Sequence, residues 1–254
     1  MAKKVYEETN IAAIAETIRE KTGGEEKYTT AQMPGGVGEV FEAGKKAEYY
    51  AFWENALSGS YNLQGISLFS GAGWNDKTFN PPKKITVRDN CNNVFYASIC
   101  TDIRNKVEFT GVTSIANGFL YSSVRNIGIV DLSLCSSALS SFASGKIESI
   151  DKIIVSETTG FSSSFNNASN LTEMIFEGVL GKDGLNLKWS TKLSKESIIS
   201  IINALSTTTS VLSITVSLEA VKNAFATSDS PYGQTSKEWK DLENSRTNWT
   251  IGLL

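Results

Sequence analysis

Phenylalanine returns at Phe95, Phe119, Phe142 and Phe165, at intervals of 24, 23 and 23 residues. So regular an interval marks an internal repeat, and a repeat constrains a chain more tightly than composition does. Each unit must bury its apolar face against the next. An apolar run follows every ring: Ile99, Ile103 and Val107 after Phe95, then Val124, Ile127 and Ile129 after Phe119. Ile147, Ile150 and Ile153 to Val155 follow Phe142, and Leu171, Met174 and Phe176 follow Phe165. One strand-like run per unit predicts a solenoid in which each turn covers its neighbour's apolar face, with the four phenylalanines as its repeat core. Stacks of this kind bind or build more often than they catalyse.

The clearest unit reads Gly111-Val-Thr-Ser-Ile-Ala-Asn-Gly-Phe119, then Leu120, Tyr121, Ser122, Ser123, Val124, Arg125, Asn126 and Ile127. Thr-Ser-Ile sends one apolar side chain inward, Asn117-Gly118 makes a tight turn, and the ring fills the wide part of the coil. Lys84 to Arg88 alternates polar and apolar as a half-buried strand does and lies one period before Val107-Glu108-Phe109, so it opens the array. A period in the low twenties with this layout indicates a leucine-rich-repeat unit.

The unit closely resembles the BspA-like leucine-rich repeat over residues 84–178, with Val or Ile at most of the Leu positions. Two flanking stretches narrow the likeness. Ile11 to Gly24 followed by Tyr28-Thr-Thr-Ala-Gln-Met-Pro34 looks like an N-terminal module of tail and baseplate-associated proteins from phages and prophages of Gram-positive gut bacteria. Leu193 to Leu205, with the closing Trp249-Thr-Ile, resembles the end of phage-encoded BspA-like proteins. The resemblance implies a virion protein of the tail or baseplate, made in the host cytoplasm. Its implied partners are other tail or baseplate proteins, further copies of itself as a homo-oligomer with a trimer among the states allowed, and a host cell-surface glycan or protein.

The expected fold is therefore an α/β repeat: N-terminal helices, a central leucine-rich-repeat-like β-solenoid and a small α/β C-terminal cap. Residues 1–58 form the attachment and oligomerisation module. Ile11, Ile14, Ala15 and Ile18 follow helical spacing, and a second helix carries the heptad-like seam Val40, Ala43, Ala47, Tyr50 and Leu57, the candidate oligomerisation surface. Residues 59–190 form the repeat array, and 191–254 the cap. Within the cap, Ser194 caps a helix whose Ile198, Ile201, Ile202 and Leu205 share a face. A strand at Ser213 to Ser217, short helices at Leu218 to Ala226 and Ser236 to Ser245, and a last strand near Asn248 to Leu253 complete it.

Composition prunes the functions. The chain has no histidine, which removes Ser-His-Asp and Cys-His chemistry and His-ligated zinc. Cys91, Cys100 and Cys135 form no CxxC pair and read as small core residues. Gly35, Gly36 and Gly38 match neither a dinucleotide fingerprint nor a P-loop, so no cofactor, metal or catalytic residue is expected. With 24 Lys plus Arg against 27 Asp plus Glu, neither sign gathers into a block that would hold a polyanion, so no nucleic-acid partner is expected. No apolar run is long enough for membrane insertion, and no export signal follows Lys3 and Lys4.

A binding surface is expected where polar side chains project between the inward residues of successive strands: Arg88, Glu108, Asp131, Lys152 and Glu173, with Tyr96 and Tyr121 in the turns. A non-enzymatic tail or baseplate component using this surface is the expected function. A bacterial cell-surface leucine-rich-repeat adhesin is the alternative, and a glycan-acting enzyme, which needs two facing carboxylates, is the third reading.

Overall fold

The computed structural model describes residues 84–207 and 211–254 of the chain. The expected N-terminal module, its seam from Val40 to Leu57 and the stretch 59–83 lie outside the described residues. Five strands, β1 (Ile85–Asn90), β2 (Val107–Ser114), β3 (Asn126–Asp131), β4 (Ser149–Val155) and β5 (Glu173–Gly178), form one parallel sheet in chain order. In β1 and β2 the alternation of apolar and polar residues matches burial, with Ile85, Val87, Val107 and Phe109 inside and Lys84, Thr86, Glu108 and Thr110 outside.

Connections between the strands are turns, not helices, and the repeated phenylalanines anchor them. Phe95, Phe119, Phe142 and Phe165 are wholly buried and stack, with ring centroids 5.3, 5.6 and 5.3 Å apart and planes within 15° of parallel. A backbone ladder runs beside the rings: Phe95 N–H donates to Gly118 O at 2.7 Å, Phe119 to Ser141 at 2.7 Å and Phe142 to Ser164 at 2.9 Å. Two residues before every ring the backbone is left-handed, at Asn93, Asn117, Ser140 and Ser163, and two residues after three of them, at Ala97, Tyr121 and Asn167. Asn tolerates that region better than most residues, which explains Asn93, Asn117 and Asn167. Buried hydroxyls satisfy carbonyls left between turns, as Ser141 Oγ does for Ile115 O at 2.7 Å and Thr159 Oγ1 for Leu132 O at 3.1 Å.

A second sheet lies at the C-terminal end of the chain. β6 (Asn186–Leu187), β7 (Leu212–Val216) and β8 (Trp249–Leu253) are parallel in that order. Helices α1 (Lys195–Ala204), α2 (Leu218–Ala224) and α3 (Lys237–Asn244) accompany them. Each helix begins on a serine, Ser194, Ser217 or Ser236, whose side chain accepts the backbone N–H three residues on, from Ser197, Ala220 or Trp239. Phe225 and Trp239 pack edge to face at 5.3 Å, and Gly233 is needed beside them, since a Cβ there would lie 2.4 Å from Val221 O.

These findings correct the expected fold class. The described residues form a five-stranded parallel sheet plus a separate three-stranded sheet with three helices, an α/β arrangement and not a leucine-rich-repeat β-solenoid with a small cap. The physical reason lies in what a period can specify. A regular interval makes successive strands parallel neighbours, but the connections decide the fold class, and here they are Phe-centred turns without leucine coils. The repeat also ends at β5, where a helix takes the place of the next strand. Ser197 Oγ of α1 accepts Met174 N–H at 2.9 Å, and Ser200 Oγ accepts Phe176 N–H at 3.2 Å. Hydroxyls thus occupy the edge that a further strand would pair with.

Candidate functional site: a cleft on the outer face of the five-stranded sheet

The sheet is least regular between β2 and β3. β1 to β2, β3 to β4 and β4 to β5 each share five paired residues, whereas β2 and β3 share one pair, Phe109 with Val130. An isolated bridge joins Asp102 to Asn126, so seven steps along one chain segment face four along the other. The surplus loops out as a turn at Arg104 to Lys106, with Asn105 in the left-handed region.

That turn lies against Gly128 of β3. A Cβ at Gly128 would lie 3.6 Å from Asn105 N and 3.8 Å from Arg104 Cα, ordinary contact distances, so the turn packs directly over this position. Asp102 Oδ1 holds the turn by accepting Arg104 N–H at 2.9 Å. The Arg104 side chain then reaches past β3 to β4, where Nη2 donates to Ser149 Oγ at 2.6 Å and ion-pairs with Asp151 Oδ1 at 3.0 Å. Ser149 Oγ in turn donates to Asn126 Oδ1 at 2.9 Å. A polar wall therefore crosses three neighbouring strands at one end of the sheet.

Beside the wall the outer face sinks into a cleft of about 400 Å³. Lys84, Glu108 and Thr110 form one side, and Asp151, Lys152 and Ile154 the other. Gly128, Ile129 and Asp131 of β3 lie between them, and Ile129 is 52% exposed, a large apolar side chain turned to solvent. The charges are arranged in opposite pairs. Lys84 lies 3.7 Å from Glu108, and Lys152 ion-pairs with Glu177. Asp131 Oδ1 accepts the Ser133 N–H at 2.9 Å. Half-exposed pairs like these are worth about 0–1 kcal/mol, so they bias the side chains around the cleft without locking them.

Of the residues expected to form a surface row, the structure brings Glu108, Asp131 and Lys152 together in this cleft. Arg88 and Glu173 are exposed on the two outermost strands of the sheet, away from it. Tyr96 and Tyr121 belong to the turns, where they meet edge to face at 5.8 Å with Tyr121 71% exposed. Sequence reasoning missed Arg104, Gly128 and Asp151, and it placed Ile129 in the buried apolar run, whereas the outward position of that residue on β3 leaves it 52% exposed. The first Phe interval, one residue longer than the others, is the one trace of the inserted turn.

The thiols offer no nucleophile. Burial pushes Cys100 up to about 11, against a smaller lowering by the Ser98 hydroxyl 2.7 Å away. Burial likewise raises Cys135, and it raises Cys91, with the nearby Cys135 adding to the effect. A thiol held neutral is neither reactive nor a metal ligand. Among the described residues no group of three or more Cys, Asp or Glu side chains converges to hold a metal ion. No family model, characterised protein or solved structure matches this chain.

Proposed function

We propose that this chain is a non-enzymatic component of a phage tail or baseplate that contributes to host-surface recognition or tail-tip assembly. The observation that carries the recognition half is the cleft around Ile129, a concavity on an exposed sheet face lined by charged groups that meet in ion pairs. A concave polar surface built on paired strands favours binding, because the backbone that places its groups needs no ordering when a ligand arrives. Glu108 and Asp151 are each held by a cation of the protein instead of standing as a facing pair, which favours binding over hydrolysis. The word phage rests on the resemblance of residues 11–34 and 193–205 to tail-associated proteins.

Antibody-gold labelling of particles from an induced culture, viewed by electron microscopy, tests the reading. Label at the tail end is expected. Label confined to cell envelopes would overturn it and favour the cell-surface adhesin.

A further inference from the structure

We infer that the cleft between β2 and β4 is a binding site for a neutral saccharide, seated with a C–H face on Ile129 and its hydroxyls on the charged rim. This deepens the recognition reading above and rests on it for biological meaning, though not for its chemistry.

The argument starts from charge. A site for a phosphate or polyanion concentrates cations, and a site for an ammonium concentrates carboxylates. Here the surplus is a single carboxylate, Asp131, whose Oδ1 accepts the Ser133 N–H. Lys84 is matched by Glu108, Asp151 by Arg104 and Lys152 by Glu177, each pair within ion-pairing distance. An anion would have to displace one carboxylate of such a pair, and a cation could pair only with Asp131, in a cleft that also carries the Lys84 and Lys152 ammoniums. A neutral ligand meets no such penalty.

What the rim does offer is donors and acceptors side by side. The Lys84 and Lys152 ammoniums are donors only, the carboxylates of Glu108, Asp131 and Asp151 are acceptors only, and Thr110 is both. Asp131 has one oxygen committed to Ser133 N–H, which leaves the other to accept from a ligand. A hydroxyl group is donor and acceptor at once, so a ring carrying several can satisfy both kinds of group without any change in net charge. The base of the cleft completes the match. Ile129 exposes half its surface between these polar groups, and Gly128 beside it contributes no side chain. A pyranose has this same division, polar at its edge and apolar on the face where its axial C–H bonds point. The volume, about 400 Å³, falls within the ~300–1,000 Å³ range of small-molecule sites.

Saturation-transfer NMR on the full-length protein tests the inference. The probes are methyl α-glucoside, methyl β-galactoside, N-acetylglucosamine and their homodisaccharides, beside inorganic phosphate and lysine amide. At least one neutral sugar is expected to take up saturation, to be undisturbed by phosphate or lysine amide, and to bind at least tenfold more weakly to Ile129→Lys. Thr110→Tyr, which narrows the cleft from the β2 side, is expected to act alike and serves if Ile129→Lys does not fold. Ser228→Ala, on the exposed loop after α2, should leave binding unchanged. The inference is overturned if no neutral sugar of the panel binds, if a charged probe binds in preference, or if sugar binding survives both cleft variants. Sugar binding without tail labelling would keep the cleft and discard the virion, and tail labelling without sugar binding would do the reverse.

Discussion

Phe119 lies between two other rings, 5.3 Å from Phe95 and 5.6 Å from Phe142, with no exposed surface. Removing it leaves a void that neighbours on both sides must collapse into, so Phe119→Ala is expected to cost about 3–5 kcal/mol in a denaturant titration. An unchanged midpoint would contradict the continuous ring stack. The thiols make a second prediction at this scale. Because burial holds Cys91, Cys100 and Cys135 protonated, none should react with a thiol-specific reagent such as DTNB at pH 8 until the protein unfolds. Fast labelling of the native protein would place at least one of them at the surface. The ring positions and buried cysteines were legible in the sequence because both depend on residue type and spacing alone. Arg104 was not, since its partners Ser149 and Asp151 lie more than forty residues onward and are reached only after three strands have aligned.

Element by element, legibility followed how local the cause was. The helix begun by Ser194 and the strands at Leu212–Val216 and Trp249–Leu253 could be read from caps and alternation. The two-residue β6 could not, because Asn186-Leu187 becomes a strand only through its pairing with Thr215 and Val216. Nor could the role of α1. Ser197 and Ser200 look like solvent-facing serines of an amphipathic helix, yet their hydroxyls accept the N–H groups of Met174 and Phe176. Ser197→Ala should cost about 1–3 kcal/mol, since it strands a buried N–H and removes a partner of the cap residue Ser194. Hydrogen exchange at Met174 measures this directly: protection is expected to fall in the variant, and full protection would show that another acceptor takes over.

For the whole molecule, the repeat marked which runs become successive strands, but not the fold class. A leucine-rich-repeat solenoid and the observed pair of sheets share the first property and differ in connections and in how the array ends. The candidate surface was half legible for the same reason: Glu108, Asp131 and Lys152 occupy outward strand positions, while the cleft itself arises from an insertion. The proposal that residues 1–58 serve attachment rests on resemblance and on the heptad-like sequence pattern from Val40 to Leu57, both outside the described residues. A variant lacking 1–58 is expected to keep the circular dichroism of the folded array yet sediment as a monomer in analytical ultracentrifugation. An assembled species in that experiment would move the association surface elsewhere.

The hydroxyls of α1 also set a rule for redesign. With the β5 edge occupied, a longer protein cannot be made by appending strands after Gly178. It could be made by duplicating one Phe-to-Phe interval between β3 and β4, where the pairing is regular and every turn already has a matching neighbour. Such an insertion would add a rung while leaving the terminal helix to close whichever strand came last. The helix acts as a stop codon written in hydrogen bonds, and the number of rungs ahead of it is free to vary.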